Sequence, residues 1–122
     1  MIKCVYEDGV VWEDMHPKIE FAKKIFSDVF EEYGVDFVIT SARDGKHMVG
    51  SKHYEGAAFD TRTKNIVSDF NGVKKFDRFK GQMIFDEIKR RLGNGYDFLD
   101  KRLNKNGTWR DIQYWHVEWD PK

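Results

Sequence analysis

Two strand-like segments from opposite halves of the chain each carry acidic or histidine side chains on one face, and this constrains the fold more than any other feature. Around Ala57 to Thr61, alternation places Ala58, Asp60 and Arg62 on one face; within Ile112 to Trp119 it places Tyr114, His116 and Glu118 on one face. If the two strands pair with these faces aligned, Asp60 and His116 become cross-strand neighbours. His53 then closes a triangle from the loop before the first strand. Gly56, between His53 and Asp60, lets the loop turn into the strand in a conformation that a side chain resists. Ala57 and Ala58 keep bulk away. Two imidazoles and one carboxylate are a complete protein ligand set for a Zn²⁺ ion that keeps its fourth position open. His53, Asp60 and His116 are therefore the candidate metal ligands, in a set that also tolerates other divalent ions.

The remaining elements follow from periodicity. Ile2 to Tyr6 and Val10 to Trp12 flank Glu7-Asp8-Gly9, which predicts a short hairpin. Pro17 suits the first turn of a helix, and apolar residues from Ile19 to Tyr33 keep helical spacing up to Gly34. Asp36 to Thr40 reads as a buried strand, and residues 41–52 as a loop. Asn65 to Lys75 reads as a polar connection. A second helix is expected from about Phe76 to Leu92, with Phe79, Met83, Ile84, Ile88 and Leu92 near one face. Tyr96 to Leu99 and Ile112 to Trp119 complete the strands. The expected fold is α+β: a small, mainly antiparallel sheet with two helices on one side, forming one domain over residues 1–122.

Composition narrows the function classes. At 122 residues, with 40% hydrophobic and 16% aromatic content, the chain can bury a core without disulfides. Its 21 basic and 21 acidic residues balance, so no global field draws it to nucleic acid or an anionic membrane. The basic stretches at Lys74, Lys75, Arg78 and Lys80 and at residues 101–110 are interleaved with acids and read as a solvated surface. Cys4 is the single cysteine and reads as a small apolar strand residue. Glu7 and Asp8 follow the N-terminus too early for a signal-peptide apolar stretch, and no segment reaches membrane-span length. Synthesis as a soluble cytoplasmic monomer is the expectation.

The run Ser51-x-His53-x-x-Gly56-x-Ala58-x-Asp60, followed downstream by Trp115-His116, resembles the zinc family of D-alanyl-D-alanine carboxypeptidases and dipeptidases. It is also similar to bacteriophage L-alanyl-D-glutamate endolysins and to the hedgehog signalling domain, over residues 36–119. The resemblance implies a hedgehog-type fold and one zinc ion held by His53, Asp60 and His116. It further implies hydrolysis of a D-residue-containing stem peptide of peptidoglycan, after release to the cell wall or from a phage particle. Arg43, in Thr40-Ser41-Ala42-Arg43, matches an arginine that holds developing charge on the scissile carbonyl. His47 matches a histidine flanking the site. Ser51 is a candidate hydrogen-bond partner or turn cap, and Tyr54 and Trp115 are candidate substrate neighbours beside the ligands.

One position departs from the pattern. The family commonly places its general base three residues before the final histidine, where this chain has Gln113. An amide orients water but accepts no proton at neutral pH. Asp111 is the preferred candidate base, with Gln113 as water-orienting group, and Glu118 is the alternative on the His116 face. The competing reading is a zinc-binding or peptidoglycan-binding module that lost its base at Gln113.

Overall fold

The structure, a computed structural model, describes residues 4–43 and 55–121. Its architecture is α+β. A five-stranded sheet runs in the order β1-β2-β3-β7-β6, from β1 (Cys4–Tyr6), β2 (Phe37–Ser41), β3 (Ala58–Arg62), β6 (Tyr96–Asp100) and β7 (Tyr114–Trp119). Among the described residues, only β1 and β2 pair in parallel; the other ladders are antiparallel. Helices α1 (Pro17–Glu32) and α2 (Arg78–Leu92) pack together, and β4 (Val67–Phe70) and β5 (Val73–Phe76) form a separate hairpin.

The helix starts follow local chemistry. His16 caps α1 through Nδ1, which accepts from the Lys18 amide at 3.0 Å, with Pro17 next in the first turn. Asp77 caps α2, accepting from the Lys80 amide at 2.9 Å and from the Ser68 hydroxyl at 2.7 Å. These bonds, that from Lys80 foremost, hold its carboxyl below the usual range.

Both helices bury their apolar stripes against one face of the sheet. Ile19, Phe26, Val29 and Phe30 of α1 meet Ile84, Phe85 and Ile88 of α2 and the inward residues Phe37, Ile39, Phe59, Phe98, Trp115 and Val117. Phe85 stacks on Phe98 at 4.1 Å, and Phe26 meets Phe59 edge-on at 5.0 Å. Asp60, Arg62, His116 and Glu118 alternate onto the opposite face.

Arg91 clamps the two helices, donating to both Glu32 oxygens at 2.7 and 2.8 Å and to Glu87 at 2.6 Å. Hydrogen bonds from Arg90 and Arg91 pull the Glu87 carboxyl down to about 2 from 4.5. A depressed carboxyl stabilises the fold above its unfolded value and loses that contribution as pH falls toward its folded value. Thermal melts between pH 4.5 and 2 should therefore fall more steeply for the native chain than for Glu87→Gln; parallel curves would contradict the clamp.

Four expectations from sequence are corrected. Val10 to Trp12 forms no strand, so the Glu7-Asp8-Gly9 hairpin is absent. Trp12 instead packs on the core edge-on to Phe59 at 5.6 Å, and β1 pairs in parallel with β2. The α1 crossover supplies the length that a parallel connection requires. The connection 65–75 contains a hairpin whose turn is Asn71-Gly72, both at positive φ, as an Asn-Gly turn demands. In α2, Phe79 and Met83 face solvent at 88% and 57% exposure, while Gly81 and Phe85 turn inward. The final strand starts at Tyr114, and Ile112 is exposed.

Gly95, at φ +95°, lies under the Trp119 ring, where an added Cβ would come within 2.3 Å of a ring carbon. Gly95→Ala should cost roughly 2–4 kcal/mol, combining backbone strain with overpacking, in a denaturant titration. A loss below 0.5 kcal/mol, on that same order-of-magnitude scale, would mean that the ring gives way freely.

Candidate metal centre and cleft

Strand pairing sets the site. Asp60 stands opposite His116, and Ala58 opposite Glu118. His116 Nδ1 lies 2.7 Å from Asp60 Oδ1, and its Nε2 lies 2.8 Å from Glu118 Oε1. All three side chains are largely buried, at 14% exposure for His116 and 16% and 20% for the two carboxylates. Burial acts most strongly on the imidazole and disfavours its charged form. The hydrogen bonds and charges of Asp60 and Glu118 together outweigh burial and raise its pKa. The Glu118 contact at Nε2 fixes the ring plane with Nδ1 turned toward Asp60; a ligating histidine keeps one such outer partner while its other nitrogen takes the metal.

The Gly56 turn leads into β3 at φ +70°, and its carbonyl accepts from the His16 amide at 2.9 Å. A Cβ there would meet Arg43 Nη1 at 2.8 Å and the Asp14 carbonyl oxygen at 2.9 Å. Arg43 is thus packed against the turn that delivers Asp60, with Nη1 3.5 Å from that carbonyl. His53, His47, Ser51 and Tyr54 lie outside the described residues.

A cleft of about 410 Å³ opens on this sheet face, lined by Asp60, Arg62, Asp111, Gln113 and Tyr114 with Phe76 at its side. Asp111 and Gln113 share it because the regular strand begins only at Tyr114, so the residues before it escape strict alternation. Gln113 donates from Nε2 to the Arg110 carbonyl at 2.8 Å. Arg62 pairs with Glu7 at 2.5 Å along the cleft floor.

Trp115 does not contribute here. It is fully buried on the opposite face of β7, its ring among Phe30, Phe85 and Phe98 and its Nε1 donating to Asp100 at 3.2 Å. Its neighbour in sequence, His116, faces the other way because successive strand residues alternate. Trp119 likewise packs against the core with Tyr96. Cys4 sits half-buried in β1, and burial pushes its thiol up.

Sequence reasoning passed over a second cluster. Asp97, opposite Glu118 across the β6–β7 ladder, joins Glu118 and Asp120, with carboxylate oxygens all within 4.8 Å of one another. This half-buried acidic triad could in principle hold a metal ion, and an all-oxygen set favours hard cations. The signal was present in the alternation of β6, which puts Asp97 on the Glu118 face. Among the described residues, no helix is long and apolar enough to cross a membrane. No protein-family model, curated protein or solved structure matches the chain.

Proposed function

We propose that the chain is a zinc-dependent peptidase acting on D-residue-containing stem peptides of bacterial peptidoglycan, in a hedgehog-type α+β fold. The observation that carries this reading is the Asp60–His116 contact at 2.7 Å beside a cleft that also brings Asp111 and Gln113 within one concavity. The donor set suits zinc. An imidazole nitrogen and a carboxylate oxygen already converge, the second ring nitrogen is held by Glu118, and His53, which lies outside the described residues, is the third donor that the motif resemblance implies.

A zinc ion held by Asp60, His116 and the implied His53 would supply Lewis acidity toward a water and the scissile carbonyl. Asp111 takes the proton from the attacking water and returns it to the leaving amine. Gln113, its amide nitrogen committed to the Arg110 carbonyl, presents its oxygen as an acceptor that orients water. Glu118 holds the His116 ring from behind and acts through it. Arg43, braced at the Gly56 turn, donates to the carbonyl oxygen as charge develops. A wall-directed role fits the phage-type resemblance of the motif.

The test is release of new amino groups from purified peptidoglycan with stoichiometric Zn²⁺. Asp111→Asn should lower the rate roughly 10²–10⁴-fold, the range for a general base, while zinc content stays unchanged. Unchanged turnover removes Asp111 from the mechanism. No release by the native chain, despite bound zinc, would favour a binding module that lost its base at Gln113.

A further inference from the structure

The hairpin of β4 and β5 carries apolar side chains that the core does not use. Five of the thirteen large apolar side chains exposed among the described residues come from one stretch, 70–83: Phe70, Val73, Phe76, Phe79 and Met83. Val73 and Phe76 are 54% and 64% exposed, and all four residues of β5 are exposed. Register puts Phe70 and Val73 on one face of the hairpin with Lys75, and Phe76 on the other with Lys74. Apolar groups thus stand bare on both faces.

The hairpin is fastened at its base. The Asp77 amide donates to the Ile66 carbonyl at 3.0 Å, the Asp77 carboxylate accepts from Ser68, and the Lys80 amine reaches the Val67 carbonyl at 3.3 Å. These bonds tie the first turn of α2 to β4. Phe79 and Met83, one helical turn apart, therefore belong to the same projection, whose far end is the Asn71-Gly72 turn.

Charge follows the same stretch. Residues 69–80 hold four cations, Lys74, Lys75, Arg78 and Lys80, against two acids, Asp69 and Asp77. Both acids are engaged by backbone amides, Asp69 by that of Gly72 at 2.7 Å and Asp77 by that of Lys80 at 2.9 Å. Among the described residues, Lys74, Lys75 and Arg78 form no ion pair with a carboxylate. The zero net charge of the chain hides a local cationic surface.

Aromatic and aliphatic side chains interleaved with lysine and arginine suit a bilayer interface, with the apolar groups among the upper acyl chains and the cations among phosphates. A soluble polyanion such as nucleic acid matches the cations but leaves Phe70, Val73 and Phe79 in water. A flat protein partner covers one hairpin face and not both, and a second copy of this chain also sets cation against cation. We propose that the β4–β5 hairpin and the first turns of α2 dock on an anionic phospholipid bilayer. Phe70, Val73 and Phe79 enter the headgroup region, and Lys74, Lys75 and Arg78 meet lipid phosphates. This contact goes beyond the peptidase reading and needs no metal.

Each cation near an anionic bilayer strengthens binding about fivefold, so three give roughly a hundredfold preference over a neutral one. The native chain is sedimented with vesicles of phosphatidylcholine alone, and with vesicles containing about one-third phosphatidylglycerol, in about 0.1 M salt. It should bind the anionic vesicles at least about tenfold more tightly, and progressively less as salt rises. Lys74→Gln with Lys75→Gln should weaken that binding roughly twentyfold. Val73→Ser with Phe79→Ser should weaken it roughly tenfold or more, because the apolar transfer is lost. All four side chains are exposed, so thermal melts of both variants should match the native chain. No binding to anionic vesicles, equal binding to neutral ones, or indifference to either pair of substitutions overturns the proposal. Two further results overturn it by naming another occupant. One is a short DNA duplex bound as tightly as the vesicles and unaffected by Val73→Ser with Phe79→Ser. The other is a dimer, in lipid-free sedimentation, that those same substitutions dissolve.

Discussion

His116→Ala should leave the purified protein with at least a hundredfold weaker hold on Zn²⁺ and no measurable peptidoglycan hydrolysis, while its fold persists. Perturbing a group behind a ligand costs roughly 10–100-fold in metal affinity, so deleting a ligand itself costs more. The fold should survive because the imidazole lies on the face away from the aromatic core, and truncating it opens no cavity among Phe26, Phe59 and Trp115. The measurement is metal content by elemental analysis after equilibration with one equivalent of zinc, alongside circular dichroism. Location matters as much as loss. The acidic triad of Asp97, Glu118 and Asp120 stays intact in the variant. If zinc remained bound at full stoichiometry in His116→Ala and left only in Asp97→Asn, the ion would belong to the triad, and the His–Asp centre would be abandoned.

Trp115→Ala should be the most damaging single core truncation, by about 3–5 kcal/mol, the range for removing a buried large aromatic. Trp115 has no exposed surface and meets Phe30, Phe85 and Phe98, so it joins α1, α2 and β6 through one ring. It also lies 5.3 Å beneath the Arg102 guanidinium and donates to the Asp100 carboxylate that pairs with Arg102. Truncation therefore removes packing and strips one hydrogen bond from a nearly buried ion pair, whose other member is left with a poorer environment. Trp109→Ala is the contrast: that ring is 37% exposed and stacks on a surface arginine. Guanidinium denaturation should separate the two by several kcal/mol. Equal costs would show that the interior tolerates loss of its central ring.

Several elements were legible in the chain because their signals are local. Pro17 and the Ile19–Phe30 stripe mark α1, and α1 forms there with the stripe inward. The alternation around Asp60 and His116 fixed which side chains share a face, and the β3–β7 ladder places the two opposite one another. Gly56 adopts the positive φ its position between loop and strand suggested. The second helix was harder. Its amphipathic pattern is weak, so Phe79 and Met83 were equal candidates with Phe85 for the inner face, and only packing against Phe98 and Trp115 selects Phe85. The Asn71-Gly72 turn was readable, yet its flanking strands are short and exposed, without the apolar alternation that marks a half-buried pair.

The pairing of Asp60 with His116 was visible from residue type and parity alone; the groupings around them were not. Asp60 and His116 carry their meaning in their side chains, and a two-residue repeat decides their side of the sheet. What only the tertiary structure decided was company: Thr63 beside Arg102, Gly81 yielding space to a guanidinium, Asp97 beside Glu118, Asp111 and Gln113 in one cleft. Such groupings come from chain segments far apart in sequence, and ladder register and helix packing set their distances. Periodicity fixes a direction for each side chain within its own element, whereas the partner it finds depends on how the elements are stacked.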